Sequence, residues 1–170
     1  MATVMPAKRS LVAVDTNVLM DMADGHAPTL SAIEACTKRP QLALVATPTV
    51  VQELSYGANH WEPPERRAMA EKALTSMLAW GIRPINFIPA GHAICESVGH
   101  ALARNGYLPE EEKNDGLVLA EAALSEASIL LTWDEHLLAI PADRLAVFLR
   151  EAQVAHVLIV SPAKINSLFG

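Results

Sequence analysis

Five short apolar runs punctuate this chain, each bounded by polar, Gly or Pro residues. Residues 11–14, 42–46, 85–88, 129–132 and 155–160 are read as strands one to five. Longer segments with helical apolar spacing lie between them. Asp15, Thr16 or Asn17 caps a helix directly after strand one, and Asp24-Gly25-His26-Ala27-Pro28 breaks it before a second helix over 29–38. Thr47-Pro48 starts a helix running to about Tyr56, with Thr as cap and Pro in the first turn. Glu62-Pro63-Pro64-Glu65 opens a long helix ending near Trp80-Gly81, where Gly suits the position past a helix end. Further helices are predicted over 89–104 and 114–125. In the latter, Leu117, Leu119, Ala120, Ala123 and Leu124 form a broad apolar face. A short helix follows Asp134, another covers 143–152, and Ser161-Pro162 begins a last one.

Strands separated by helices imply an α/β fold: a mainly parallel sheet of four to five strands covered by helices on both faces, in three layers. Residues 1–170 show no internal repeat, low-complexity tract or linker, so one domain is expected. In such sheets ligands bind outside the carboxyl ends of the strands.

Composition narrows the function classes. With 51% hydrophobic residues the chain can bury a sizeable core, yet no apolar run approaches the ~18 residues that cross a bilayer. Lys8-Arg9 before the first strand looks like a signal-peptide start, but Asp15 ends the apolar run too early for export. Cys36 and Cys95 match no zinc pattern and fit buried thiols in a reducing cytoplasm. The formal charge of −6 argues against nonspecific DNA binding, and leaves room for acids gathered around a metal.

Four carboxylates stand at or near the places where strands end or lead in: Asp15, Glu53, Asp115 and Asp134. Crowded carboxylates repel, and a hard cation such as Mg²⁺ or Mn²⁺ is the usual reason to gather them. Each has an ordinary alternative. Asp15 and Asp134 suit helix N-caps, Glu53 an exposed helical position, and Asp115 the positive end of a helix dipole.

Taken in order, Val14-Asp15-Thr16-Asn17-Val18-Leu19, Glu53-Leu54, Asn114-Asp115 with its following Gly-Leu-Val-Leu-Ala-Glu-Ala-Ala-Leu, and Leu131-Thr132-Trp133-Asp134 resemble the PIN-domain ribonucleases. The closing segment 158–169, with Ser161-Pro162 and Leu168-Phe169, is similar to that family's last strand and helix, so the resemblance spans nearly the whole chain. It implies a three-layer PIN-like fold and metal-dependent hydrolysis of RNA phosphodiester bonds. It often implies the toxin half of a bacterial toxin–antitoxin pair, with an antitoxin protein as partner and a homodimer as assembly. Asp15, Glu53, Asp115 and Asp134 become the metal-site acids, with Thr16, Asn17 and Thr132 as polar support. Asp15 and then Asp115 are the expected direct ligands; Glu53 and Asp134 bind through water or orient the attacking water.

Other polar residues are weaker candidates. Glu112, three residues before Asp115, belongs to the acidic run Glu110-Glu111-Glu112, which reads as a solvated segment. Asp21 suits the helix surface or an ion pair. His92, Glu96 and His100 share one helix face, but they span ~12 Å along the axis, too far for one ion to take all three. His136 reads as a surface residue. Any of the basic pairs Lys8-Arg9, Lys38-Arg39 and Arg66-Arg67 can touch phosphates; Lys38-Arg39 reads as surface charge, and Arg66, Arg67 and Lys72 are the leading candidates for a substrate rim. Met69, Leu74, Met77, Leu78 and Trp80 give the same helix an apolar face for core, dimer or antitoxin contact.

Two other readings compete. A catalytically inactive PIN-like module would hold RNA or protein without chemistry. A receiver-like domain would need an Asp at the end of strand three, where Ile88 runs into Pro89, and a Lys at the end of strand five, where Lys164 lies past Pro162.

Overall fold

Five strands form in the expected order; strand three is displaced, strand four starts two residues earlier, and strand five is half the expected length. The computed structural model describes residues 8–169. Its strands are β1 (Ser10–Val14), β2 (Leu42–Ala46), β3 (Ile82–Pro84), β4 (Ala127–Leu131) and β5 (Leu158–Val160). They make a five-stranded sheet in the order β3-β2-β1-β4-β5, with every neighbouring pair parallel. The helices are α1 (Thr16–Asp24), α2 (Ala27–Thr37), α3 (Pro48–His60), α4 (Pro64–Ser76), α5 (Pro89–Arg104), α6 (Lys113–Leu124), α7 (Glu135–Leu138), α8 (Ala142–Glu151) and α9 (Pro162–Phe169).

Strand three was expected over 85–88 and lies three residues earlier. Gly81, at φ +77°, turns the chain so that Ile82 enters the sheet fully buried, opposite Leu44. The strand is short and at the edge, where Pro84 is tolerated. Its pairing ends with the Ile85 N–H on the Ala46 carbonyl at 2.9 Å, and Ile88, 75% exposed, belongs to the lead into α5. Smaller corrections have local causes. Ala27-Pro28 opens α2 rather than only breaking the chain, because Pro fits a first helical turn. The helix predicted to reach Trp80 stops at Ser76, followed by turns to Gly81.

Val12, Ala13 and Val14 are all fully buried, although neighbours on a strand point to opposite faces. Both faces of β1 are therefore covered, which makes the three layers. Leu19, Leu54, Leu119, Leu149 and Ile165 bring helical apolar surface to the same core. Cys36 and Cys95 are free and buried, as expected.

Topology then places a crevice. From β1 the chain moves outward to β2 and β3, then returns across β1 to β4 on its other side. The carboxyl ends of β1 and β4 flank that reversal, where parallel sheets open a ligand crevice. Helix α6 reaches it by packing closely on α5. A Cβ on Gly116 would lie 3.1 Å from the Gly99 carbonyl oxygen, and one on Gly99 would lie 3.3 Å from the Gly116 carbonyl.

Candidate active site

Asp15 follows β1 directly. Its N–H bonds the Leu131 carbonyl at 3.0 Å, continuing the ladder to β4, and its extended backbone makes it the N-cap of α1. The side chain is 3% exposed. Oδ1 accepts from the Thr16 N–H at 2.7 Å; Oδ2 accepts from the Thr132 hydroxyl at 2.7 Å and the Asn17 amide at 3.2 Å. Burial pushes its pKa up to about 6; the Thr132 and Thr16 hydrogen bonds oppose the rise, while Glu53 and Asp134 add to it.

Asn17 and Thr132 form the bracket behind Asp15. The Asn17 amide also donates to Thr132 Oγ1 at 3.2 Å, and its carbonyl oxygen accepts from the Trp133 N–H at 3.0 Å. Thr132 Oγ1 in turn accepts from the Asp134 N–H at 2.9 Å. All three predicted supporting residues therefore touch predicted acids, since the Thr16 hydroxyl donates to Glu53 Oε2.

Glu53 comes from α3. Its other oxygen accepts from the Asn114 side chain at 2.6 Å. Asn114 stands beside Asp115 at the start of α6, yet motif reasoning did not give it a site role. Its only signal was that adjacency.

Asp115 lies in the first turn of α6. Its Oδ2 is buried and has no hydrogen-bond partner. Its pKa is pushed up to about 8, chiefly by burial, then by Asp134, Asp15 and Glu112. Glu112, expected in a solvated run, lies 4.0 Å from His136, and its charge adds to the rise at Asp115.

Asp15, Glu53 and Asp115 line a common cleft of about 570 Å³, together with Thr16 and Asn17. Thr132 and Asp134 are outside its lining. Asp134 caps α7, taking the Leu137 N–H on Oδ1 at 2.8 Å, and acts on the cleft through its charge on Asp15 and Asp115. The cap reading of Asp134 describes its contacts here. Asp21 sits at the cleft margin, bonded to the Thr29 hydroxyl at 3.0 Å and 3.3 Å from His26. Arg66 lines the cleft as well, whereas Lys72 is committed to the Ala23 carbonyl at 2.7 Å and Lys38 to Glu34 at 2.7 Å. Lys8 pairs with Glu126.

The donor set suits a hard divalent cation: carboxylate oxygens, one of them buried and unpartnered, with Asp15 and Asp115 both raised chiefly by burial. Among the described residues, no three metal-ligating side chains stand close enough, as placed, to share one ion. A larger groove of about 640 Å³ runs between α5 and the start of α6, where Glu96 and His100 lie. His92 is turned to Asn86 Oδ1 at 2.9 Å, so the three do not converge.

No protein-family model matches the sequence, and no curated protein resembles it closely enough to count as a match. Solved structures do match in fold. One chain of VapBC2 from Rickettsia felis, bound to a DNA fragment from its promoter, superposes with a TM-score of 0.62 at 17% identity, covering 89% of this chain and 98% of that one. VapBC-1 from nontypeable Haemophilus influenzae gives 0.58 at 16% identity, over 91% and 99% of the two chains. VapBC-5 from Mycobacterium tuberculosis, of the VapBC family of toxin–antitoxin systems, gives 0.56 at 19% identity, over 89% and 98%. The chain has the three-layer, PIN-like α/β fold of these toxin–antitoxin structures, as its ordered acids implied.

Proposed function

We propose that this chain is a Mg²⁺- or Mn²⁺-dependent endoribonuclease and the toxin of a toxin–antitoxin pair. The observation that carries this reading is the meeting of Asp15, Glu53 and Asp115 in one cleft at the sheet's topological reversal, with a buried Asp115 oxygen lacking any partner. Asp15 and Asp115 hold the cation directly. Glu53 and Asp134 orient water around it, and Thr16, Asn17 and Thr132 fix the acids in place. A divalent ion bound there supplies a water of lowered pKa and neutralises charge on the phosphate and leaving oxygens. The chain's own part is to hold the acids and seat the RNA along the cleft.

The antitoxin partner rests on the superposed structures, which are toxin–antitoxin proteins by description. A homodimer is proposed with it. Leu78, 72% exposed just beyond α4, is an available apolar contact for either assembly.

The test is cleavage of an RNA panel with Mg²⁺ or Mn²⁺ by wild type and Asp15→Asn. The expected result is cleavage by wild type and its collapse in the variant; equal cleavage overturns the metal mechanism. The spacing of the acids favours a second reading, an inactive PIN-like module that binds RNA or protein. Calorimetry detecting no divalent-ion binding would decide for that reading.

A further inference from the structure

Tyr56 has no place in the core. It is 60% exposed on α3, one helical turn beyond Glu53. Its ring is stacked on that of His60, with centroids 4.3 Å apart and planes 15° apart. His60 is held in that pose because its Nδ1–H donates to the Tyr56 carbonyl at 2.9 Å. An exposed, pre-stacked aromatic pair beside a cleft offers a flat π-face at little ordering cost.

The acid cleft continues toward this pair. Glu53 and Trp61 also line a second groove, of about 480 Å³, whose other walls include Gln52, Tyr56 and Asn114. At the acid end stands Arg66. Its guanidinium lies over the Trp61 ring, 4.5 Å from the centroid, and Trp61 rests on Gly57, where a Cβ would come within 2.5 Å of the ring. Among the described residues lining the acid cleft, Arg66 is the one cation. Arg67 is occupied by Glu62 at 2.6 Å and the Trp61 carbonyl at 3.3 Å.

A fixed cation and an exposed aromatic face, lining adjoining grooves that share Glu53 and Trp61, match a polyanion whose bases are free to stack. A duplex hides its base faces and fits such a platform poorly. A hydrophobic peptide would meet Gln52 and Asn114 where it needs apolar walls. We propose that the Tyr56–His60 pair is a stacking platform for a base flanking the scissile phosphate, with Arg66 holding a neighbouring phosphate, so that the strand taken is single-stranded RNA. This rests on the nuclease reading above.

The experiment compares Tyr56→Ala and Tyr56→Phe. Binding of a fluorescent single-stranded RNA and of its duplex is measured in the Asp15→Asn background. Steady-state cleavage is measured with Asp15 intact. Tyr56→Ala should weaken single-strand binding by about 5- to 150-fold, the range of base–aromatic stacking, and raise KM by a similar factor with kcat retained. Tyr56→Phe should stay near wild type, the duplex should bind less tightly throughout, and melting temperatures should not change. If wild type cleaves and Tyr56→Ala matches it in binding and KM, the platform is overturned while the nuclease reading stands; that face would then be free for a protein contact. If Tyr56→Phe is as weak as Tyr56→Ala, the hydroxyl rather than the stack binds, and the platform is again overturned. If wild type neither binds nor cleaves RNA, both readings fail together.

Discussion

Thr132 donates its hydroxyl hydrogen to Asp15 Oδ2 at 2.7 Å, joining residues 117 positions apart in the chain. The same hydroxyl oxygen accepts from Asn17 and from the Asp134 backbone, so one buried atom ties the ends of β1 and β4 to two of the four acids. Thr132→Val keeps the shape and removes every one of these bonds. Its expected effects are a 10–100-fold fall in RNA cleavage, the usual cost of an outer-shell partner at a metal site, and a loss of about 1–3 kcal/mol in stability. Cleavage rates and urea unfolding check both; a variant with wild-type cleavage would show that Asp15 needs no bracket.

The raised acids give the metal-free protein a pH signature. Asp15 near 6 and Asp115 near 8 both lie above the ordinary value of 3.8. Between these limits the folded chain holds protons that the unfolded chain has released. Their contribution is therefore complete below about pH 4 and is lost as pH rises through about 6 and then about 8. Asp15, almost fully buried, accounts for at most about 3 kcal/mol of the loss. With chelator present, the melting temperature should fall between pH 5 and 8. Asp115→Asn should flatten the upper part of that slope and melt several degrees higher at pH 8, at about 2–4 °C per kcal/mol. A melting temperature independent of pH in chelator would refute the raising of these acids by burial.

Part of the candidate site is legible from local pattern. Asp15 and Asp134 each terminate an apolar run, and a carboxylate there stands out against the aliphatic residues before it. Strand three was not legible, because β3 owes its place to the Gly81 turn and one buried Ile82, while the more apolar 85–88 run lies outside the sheet. Asn114 carries no local signal of its role, because its partner Glu53 is 61 positions away and amides have no characteristic spacing. The cap role of Asp134 was anticipated; its absence from the cleft lining was not, since that depends on how α7 leaves β4. Trp61 as a shelf for Arg66 needs the Gly57 contact, which no local pattern announces.

Glu121 tests how α3 is held. It is 3% exposed, and its oxygens accept the Thr49 N–H at 3.1 Å and the Thr49 hydroxyl at 2.8 Å. A carboxylate from α6 thereby serves the otherwise unpaired first turn of α3, the helix that carries Glu53. Glu121→Ala strands two buried donors and should cost about 2–4 kcal/mol. Glu121→Gln, which keeps one acceptor, should cost less. The urea midpoint should fall with its slope unchanged, and an alanine variant as stable as wild type would contradict the role.

Gly57→Ala separates the Arg66 shelf from the rest of the site. The added methyl would fall 2.5 Å from the Trp61 ring, closer than real contacts allow, so the ring has to move. Gly57 is buried within α3, where Ala is otherwise the better helix former by about 1 kcal/mol, so any net destabilisation measures the clash. With the ring displaced, the Arg66 guanidinium loses its stacking partner, an interaction of about 0.5–2 kcal/mol. The expected result is a changed tryptophan emission that Trp61→Phe also produces, with weaker RNA binding and little change in the cleavage step. Arg66→Ala should reproduce the binding loss without altering the emission of Trp80 and Trp133. If Gly57→Ala left both emission and RNA binding unchanged, Trp61 would not be positioning Arg66.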